Sequence, residues 1–169
     1  MKLKQKRLVT KLSFLFLFSI LITGNCFCCR IENGYKSLSI YNYFKAKNIF
    51  EKLIKRHVSP AAYGLSIIYY RKDNPFHNLD SAYKYIQIAY EEQNELKERI
   101  KIKLDTFNYN KKAIKETRQN ISAAFYKIAV LRSKVSDMDE FINSHPWSIL
   151  IPNAIYKRDS LAFELVKKH

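Results

Sequence analysis

The sequence predicts an all-α chain in which antiparallel helical hairpins stack as a short superhelix behind an N-terminal signal or anchor helix. Three observations carry that expectation. Only three glycines and four prolines punctuate the 169 residues, too few breakers for a turn-rich sandwich. Apolar residues recur at helical spacing from residue 43 onward, the mark of amphipathic helices. The spacing 0, 4, 7 at Ala46, Phe50 and Leu53 also returns 36 residues later at Ala82, Ile86 and Ala89, a period typical of stacked helical units.

Residues 1–29 read as a signal peptide or membrane anchor. Lys2, Lys4, Lys6, Arg7 and Lys11 precede the uncharged run LSFLFLFSILIT, the basic-then-apolar order of a secretory signal. Extended through Cys29, the run approaches the roughly 20 residues of a membrane span, so cleavage and retention both stand. Cys26 is a candidate lipidation site, with Asn25 where the bacterial lipobox carries Gly, Ala or Ser. Cys26, Cys28 and Cys29 are the only cysteines; crowded at this junction, they can neither brace the body by disulfides nor form a zinc site with a distant partner. Such a leader assigns the chain to the bacterial cell envelope, periplasmic or membrane-associated.

Residues 30–39 read as a connector, and residues 40–96 as the repeat region. Over 43–56, Ala46, Ile49, Phe50 and Leu53 share one helical face, with Lys45, Lys52 and Lys55 opposite. Ser59-Pro60 reads as a helix start, since serine caps orphan amides and proline at the first position gives up no needed donor. Asp73-Asn74-Pro75 ends that helix. Asp80 is then the expected cap of a third helix carrying Ala82, Ile86 and Ala89.

These residues resemble the tetratricopeptide repeat family. Leu65, Ser66 and Tyr69 match the leucine, small and tyrosine positions of its first helix; Ala82, Ile86 and Ala89 match the second. Ala46, Phe50 and Leu53 look like the second helix of a preceding unit. Ala62 stands where the family prefers tryptophan, Ser66 replaces its glycine, and the turn KDNPFHNLD is longer than usual. The phrase NPFHNLDSAYKYI is similar to one found in exported bacterial repeat proteins of undefined role. The resemblance implies a binding groove on the first-helix positions Tyr63, Ile67, Tyr70 and Arg71, unless a further helix layer covers them.

Residues 97–169 read as further helices of a divergent or truncated repeat. Asn110 caps a long helix through Ile114, Ile121, Ala124, Phe125, Ile128 and Leu131. A short helix over 137–144 turns Met138, Phe141 and Ile142 inward before His145-Pro146-Trp147 breaks it. A last helix over 152–167 places Ala154, Leu161, Ala162 and Leu165 on one face. With no partner helix after it, that face implies a missing repeat, a homodimer through the C-terminal helix, or a fold-back onto the array.

No motif of catalysis emerges. Gly24, Gly34 and Gly64 are too scattered for a phosphate loop, and no G-x-S-x-G elbow occurs. His57, His77, His145 and His169 lack metal-ligand spacing and suit capping or surface positions. Asp137, Asp139 and Glu140 form an acidic cluster without the glycine of a calcium loop; their place at a helix start accounts for them. The resulting expectation is a non-catalytic scaffold without cofactor or metal, binding a protein or peptide. The formal charge of +15 falls to +10 without the leader's cations, which keeps open an alternative, a basic module for anionic lipid head groups or nucleic acid using Lys45, Lys52, Lys55, Arg56, Arg71 and Lys72.

Overall fold

The computed structural model describes residues 28–94 and 98–167, and every regular element among them is helical. The helices are α1 (Cys28–Ser39), α2 (Tyr43–Leu53), α3 (Val58–Tyr70), α4 (Leu79–Glu91), α5 (Glu98–Asp105), α6 (Lys111–Arg132), α7 (Val135–Ser144) and α8 (Ile151–Val166), with a single 3-10 turn at Glu92–Asn94. The chain is all-α over this span. Residues 1–27, with the leader's apolar run and Cys26, lie outside the described residues. None of the described helices is long and apolar enough to cross a membrane.

Helices pack largely in chain order: α1 on α2, α2 on α3, α3 on α4, α4 on α6, α6 on α7 and α7 on α8, with α1 also reaching α3. Residues 30–39, read from sequence as a connector, instead belong to α1. Gly34 lies inside this helix, where glycine costs about 1 kcal/mol relative to alanine. Its reason is spatial: a Cβ at Gly34 would lie 2.6 Å from Cε1 of Phe50, and one at Gly64 on α3 would meet the same ring still more closely. Phe50 is fully buried between these two glycines, with Tyr35 edge-on at 5.0 Å between centroids.

The main core extends from there. Ile31, Tyr35 and Leu38 face inward on α1, as do Ala46, Phe50 and Leu53 on α2, Leu65, Ser66 and Ile68 on α3, and Ala82, Ile86 and Ala89 on α4. Tyr69 is half-buried and stacks on Tyr85 at 5.6 Å. Leu104 of α5, a helix absent from the sequence reading, joins the same core. A second, smaller core of Ala129, Met138, Phe141 and Ala154 holds α6, α7 and α8 together, and Phe125 packs against both.

Several helix ends differ from their sequence-level signals. Ser59 is not the cap of α3, which starts at Val58 behind His57. Its buried hydroxyl donates to the Ala89 carbonyl at 2.7 Å and accepts from the Tyr109 hydroxyl at 2.8 Å. The start of α3 is thereby fixed to the end of α4, so the two run in opposite directions. Asn78 rather than Asp80 caps α4, accepting from the Ser81 amide at 2.7 Å, while Asp80 sits in the first turn. Asn110 caps α6, accepting from the Ala113 amide at 2.9 Å. Leu131 and Leu165, expected on inner faces, are exposed: α6 turns Ala129 inward, and the inner face of α8 holds Ala154 and Leu161 but does not extend to Leu165.

Gly64→Ala separates propensity from packing. Alanine gains about 1 kcal/mol in helix propensity, but overpacking a filled core costs about 1–3 kcal/mol, and the facing atoms here belong to a buried ring. The variant should unfold at a lower temperature than the parent, and adding Phe50→Leu should recover part of the loss. A Gly64→Ala protein that melts at or above the parent temperature would show that the ring does not limit this approach.

Candidate functional site

The pairing of α6 with α4 and of α7 with α6 leaves a cleft of about 460 Å³ where the three helices diverge. Leu79, Tyr83, Phe125, Ile128 and Phe141 form its apolar walls; Asp80, Arg132, Asp137, Glu140, Ser144 and His145 supply its polar groups. The volume lies within the roughly 300–1,000 Å³ common for ligand sites, as does the mix of aromatic wall and few polar groups.

One wall is held by a chain of hydrogen bonds. Arg118 Nε donates to Gln87 Oε1 at 2.5 Å, Gln87 Nε2 donates to the Tyr83 hydroxyl at 2.9 Å, and that hydroxyl donates to the Ser144 carbonyl at 2.6 Å. The relay ties α6 to α4 and α4 to the end of α7. The Arg118 guanidinium also lies 3.6 Å from the Trp147 ring centroid and 4.1 Å from that of Tyr90. Burial lowers its pKa, and the π-faces and the Gln87 carbonyl take over part of the lost hydration.

His145 closes the inner end. Its ring is 2% exposed and packs against Tyr83, Phe125 and Phe141 with centroids 4.6 Å, 4.9 Å and 4.9 Å away. His145 does occupy the C-cap of α7, yet the ring lies in the core rather than at the surface. The hydrogen bonds define its tautomer. Ser144 Oγ donates its only proton to the Glu140 carbonyl at 2.6 Å, so at 2.8 Å from Nδ1 it must accept, and the imidazole proton sits on Nδ1. Nε2 is then a lone-pair acceptor, buried and without a partner among the described residues. Asp137 Oδ2 is likewise buried and unpaired, while Oδ1 faces Arg132 Nη1 at 3.6 Å. Burial pushes the His145 pKa down to about 4, with Arg118 adding to the effect against the opposing backbone bond at Phe141.

The groove residues implied by the repeat resemblance do not form an open strip. Tyr63 is 3% exposed, covered by Tyr109 at 5.7 Å and by Thr117 of α6, whose hydroxyl lies 3.4 Å from its own. Ile67 and Tyr70 are half-buried against the main core, and the Tyr70 hydroxyl reaches the Asn120 carbonyl at 3.4 Å. Arg71 pairs with Asp73 at 2.8 Å and lies over Tyr41 at 4.8 Å. α6 is the covering layer, so Tyr63 has no surface to offer a partner. Among the described residues, no three His, Cys, Asp or Glu side chains converge where they could hold a metal ion.

The cleft was hidden from the sequence because its walls come from three separated stretches. The acidic cluster beside His145 was its one visible trace, and its carboxylates turn out to divide: Asp137 and Glu140 line the cleft, whereas Asp139 lies 3.5 Å from Arg158 of α8.

Two predictions follow from this geometry. Because His145 titrates near 4 folded and near 6.5 unfolded, the unfolded chain binds the extra proton between those values. The contribution is therefore fully present above pH 6.5 and is lost as pH falls toward 4, by on the order of 3 kcal/mol. His57, its pKa also lowered by burial, adds to the parent slope with the same sign but is common to both proteins compared. Denaturant unfolding of the parent and of His145→Phe from pH 7 to pH 4 should show the shallower slope in the variant; equal slopes would exclude the buried neutral imidazole. Arg118→Met should cost about 1–2 kcal/mol through the lost cation–π contacts. It should also shift the emission of Trp147, the only tryptophan in the chain, and an unchanged spectrum would place the guanidinium elsewhere.

No family model matches the chain, and neither characterised proteins nor solved structures give a match.

Proposed function

We propose that the chain is a non-catalytic helical-repeat scaffold of tetratricopeptide type in the bacterial cell envelope, and that it holds a partner polypeptide in the cleft between α4, α6 and α7. The observation that carries the reading is the cleft itself: aromatic walls around two buried acceptors, His145 Nε2 and Asp137 Oδ2, that have no partner among the described residues. Buried acceptors left unpaired cost about 1–3 kcal/mol each, and a bound segment carrying donors offsets that cost. The stack supports the repeat reading. The two apolar sets 36 residues apart are both fully packed, and each lies on a helix set against the same neighbour, α3. The superhelical form and the export of the chain are parts of the same proposal.

A peptide library displayed on phage and panned against the full-length chain tests the function. Enriched peptides should bind the parent and lose at least about tenfold in affinity for Ile128→Arg, which fills the cleft from a half-exposed position. No enrichment over the bare support, or equal binding to Ile128→Arg, would refute a polypeptide site in the cleft.

A further inference from the structure

The cleft carries a polarity opposite to that of the chain around it. Asp80, Asp137 and Glu140 line it against Arg132 as the one cationic lining residue, in a chain of formal charge +15. Carboxylates alone would mean little, since Asp80 and Asp137 sit in the first turns of α4 and α7, where the helix amides favour negative charge. His145 is the independent observation. Its Nδ1–H is committed to Ser144 Oγ, and its buried Nε2 presents a lone pair with no donor among the described residues.

The groups lacking partners thus have one character. They are acceptors, two of them buried, with carboxylate charge beside them. Arg132, 3.6 Å from Asp137, offsets one of the three carboxylates; a neutral donor would satisfy hydrogen bonds but leave the other two uncompensated, and an anion would be repelled by them. A cation with N–H donors meets both demands, and the faces of Tyr83, Phe125 and Phe141 suit both its charge and an aliphatic stem.

We infer that the cleft seats a basic side chain, lysine or arginine, of the partner polypeptide, its N–H groups donating to His145 Nε2 and to the Asp137 and Glu140 carboxylates. This rests on the reading that the cleft holds a polypeptide and names the anchor it selects.

Saturation-transfer NMR with the full-length chain tests it, using acetyl-Ala-Lys-Ala-amide and the same peptide with norleucine or glutamate in place of lysine. The lysine peptide should receive saturation at its side-chain methylenes, and the other two should not. Asp137→Asn combined with Glu140→Gln should weaken the lysine peptide about tenfold or more, with circular dichroism verifying that the helices persist. Glu140→Gln alone, at an exposed position, gives a second reading if the double variant fails to fold, and should weaken binding in the same direction. Norleucine binding as well as lysine, binding indifferent to these variants, or no saturation of the lysine peptide would each overturn the inference. So would displacement by 1,5-diaminopentane at tenfold lower concentration than the peptide, which would assign the site to a free amine. The two readings fail separately: library enrichment of cleft-dependent peptides without lysine or arginine removes the cationic anchor and keeps the scaffold, whereas no enrichment removes the scaffold.

Discussion

The fold depends on one aromatic ring having two glycines to lie against. Phe50 of α2 fills the space between α1 and α3, and no side-chain atom at Gly34 or Gly64 could share it. Burying such a ring contributes about 1.5–3 kcal/mol by area alone, comparable with the roughly 2 kcal/mol that two helical glycines cost. The larger consequence is geometric. With the ring seated, Tyr35 comes edge-on to it and its hydroxyl donates to the Pro60 carbonyl at 2.6 Å, fixing α1 against the start of α3. Ser59, one residue earlier, carries the register onward to Ala89 and Tyr109. A single ring therefore positions three helices, and two hydroxyls extend that order to α4 and the approach to α6.

The second core is joined to the first through polar and aromatic contacts as well as through Phe125. Arg118, Gln87 and Tyr83 form a continuous donor chain that ends on the Ser144 carbonyl. Ser122 and Ser148 add a buried hydroxyl pair at 2.8 Å. Each neutral bond is worth only about 1 kcal/mol net, but together they hold the end of α7 against α4 and align Tyr83, His145 and Trp147. The cleft follows from this arrangement. Two cores meeting through directional bonds leave space between them that one continuous apolar core would have filled.

The sequence displayed the parts of this structure that depend on near neighbours. Amphipathic spacing located α2, α3, α4, α6, α7 and α8 to within a few residues, and Asn110 announced its own cap. What it concealed depends on distant partners. Gly34, within the stretch that reads as a connector, has its reason only in the distant Phe50. Ser59 beside Pro60 has every feature of a cap, yet its hydroxyl serves α4 and Tyr109. Tyr63 has the composition of a binding residue, but the later α6 lies over it. α5 is short and lysine-rich, and only Leu104 marks its inner side. His145 reads as a cap or surface residue because it ends a short helix before a proline; the four aromatic side chains around it come from α4, α6, α7 and the residues just after it.

The cleft's energetics bear on why it would remain open. Two buried acceptors without donors among the described residues cost about 2–6 kcal/mol together, a substantial part of the 5–15 kcal/mol typical of a domain. Apolar groups of similar shape at Asp137 and His145 would avoid that cost, and Phe141 and Phe125 show that the surroundings accept aromatics. The penalty is therefore one that the proposed donor-bearing ligand would remove. In the proposed complex, His145 Nε2 and Asp137 Oδ2 have already lost their water in folding, whereas Glu140 is exposed and would lose its own on binding. That preorganisation is the physical basis on which the proposed site, a modest cleft walled by three aromatic rings, would hold a side chain selectively.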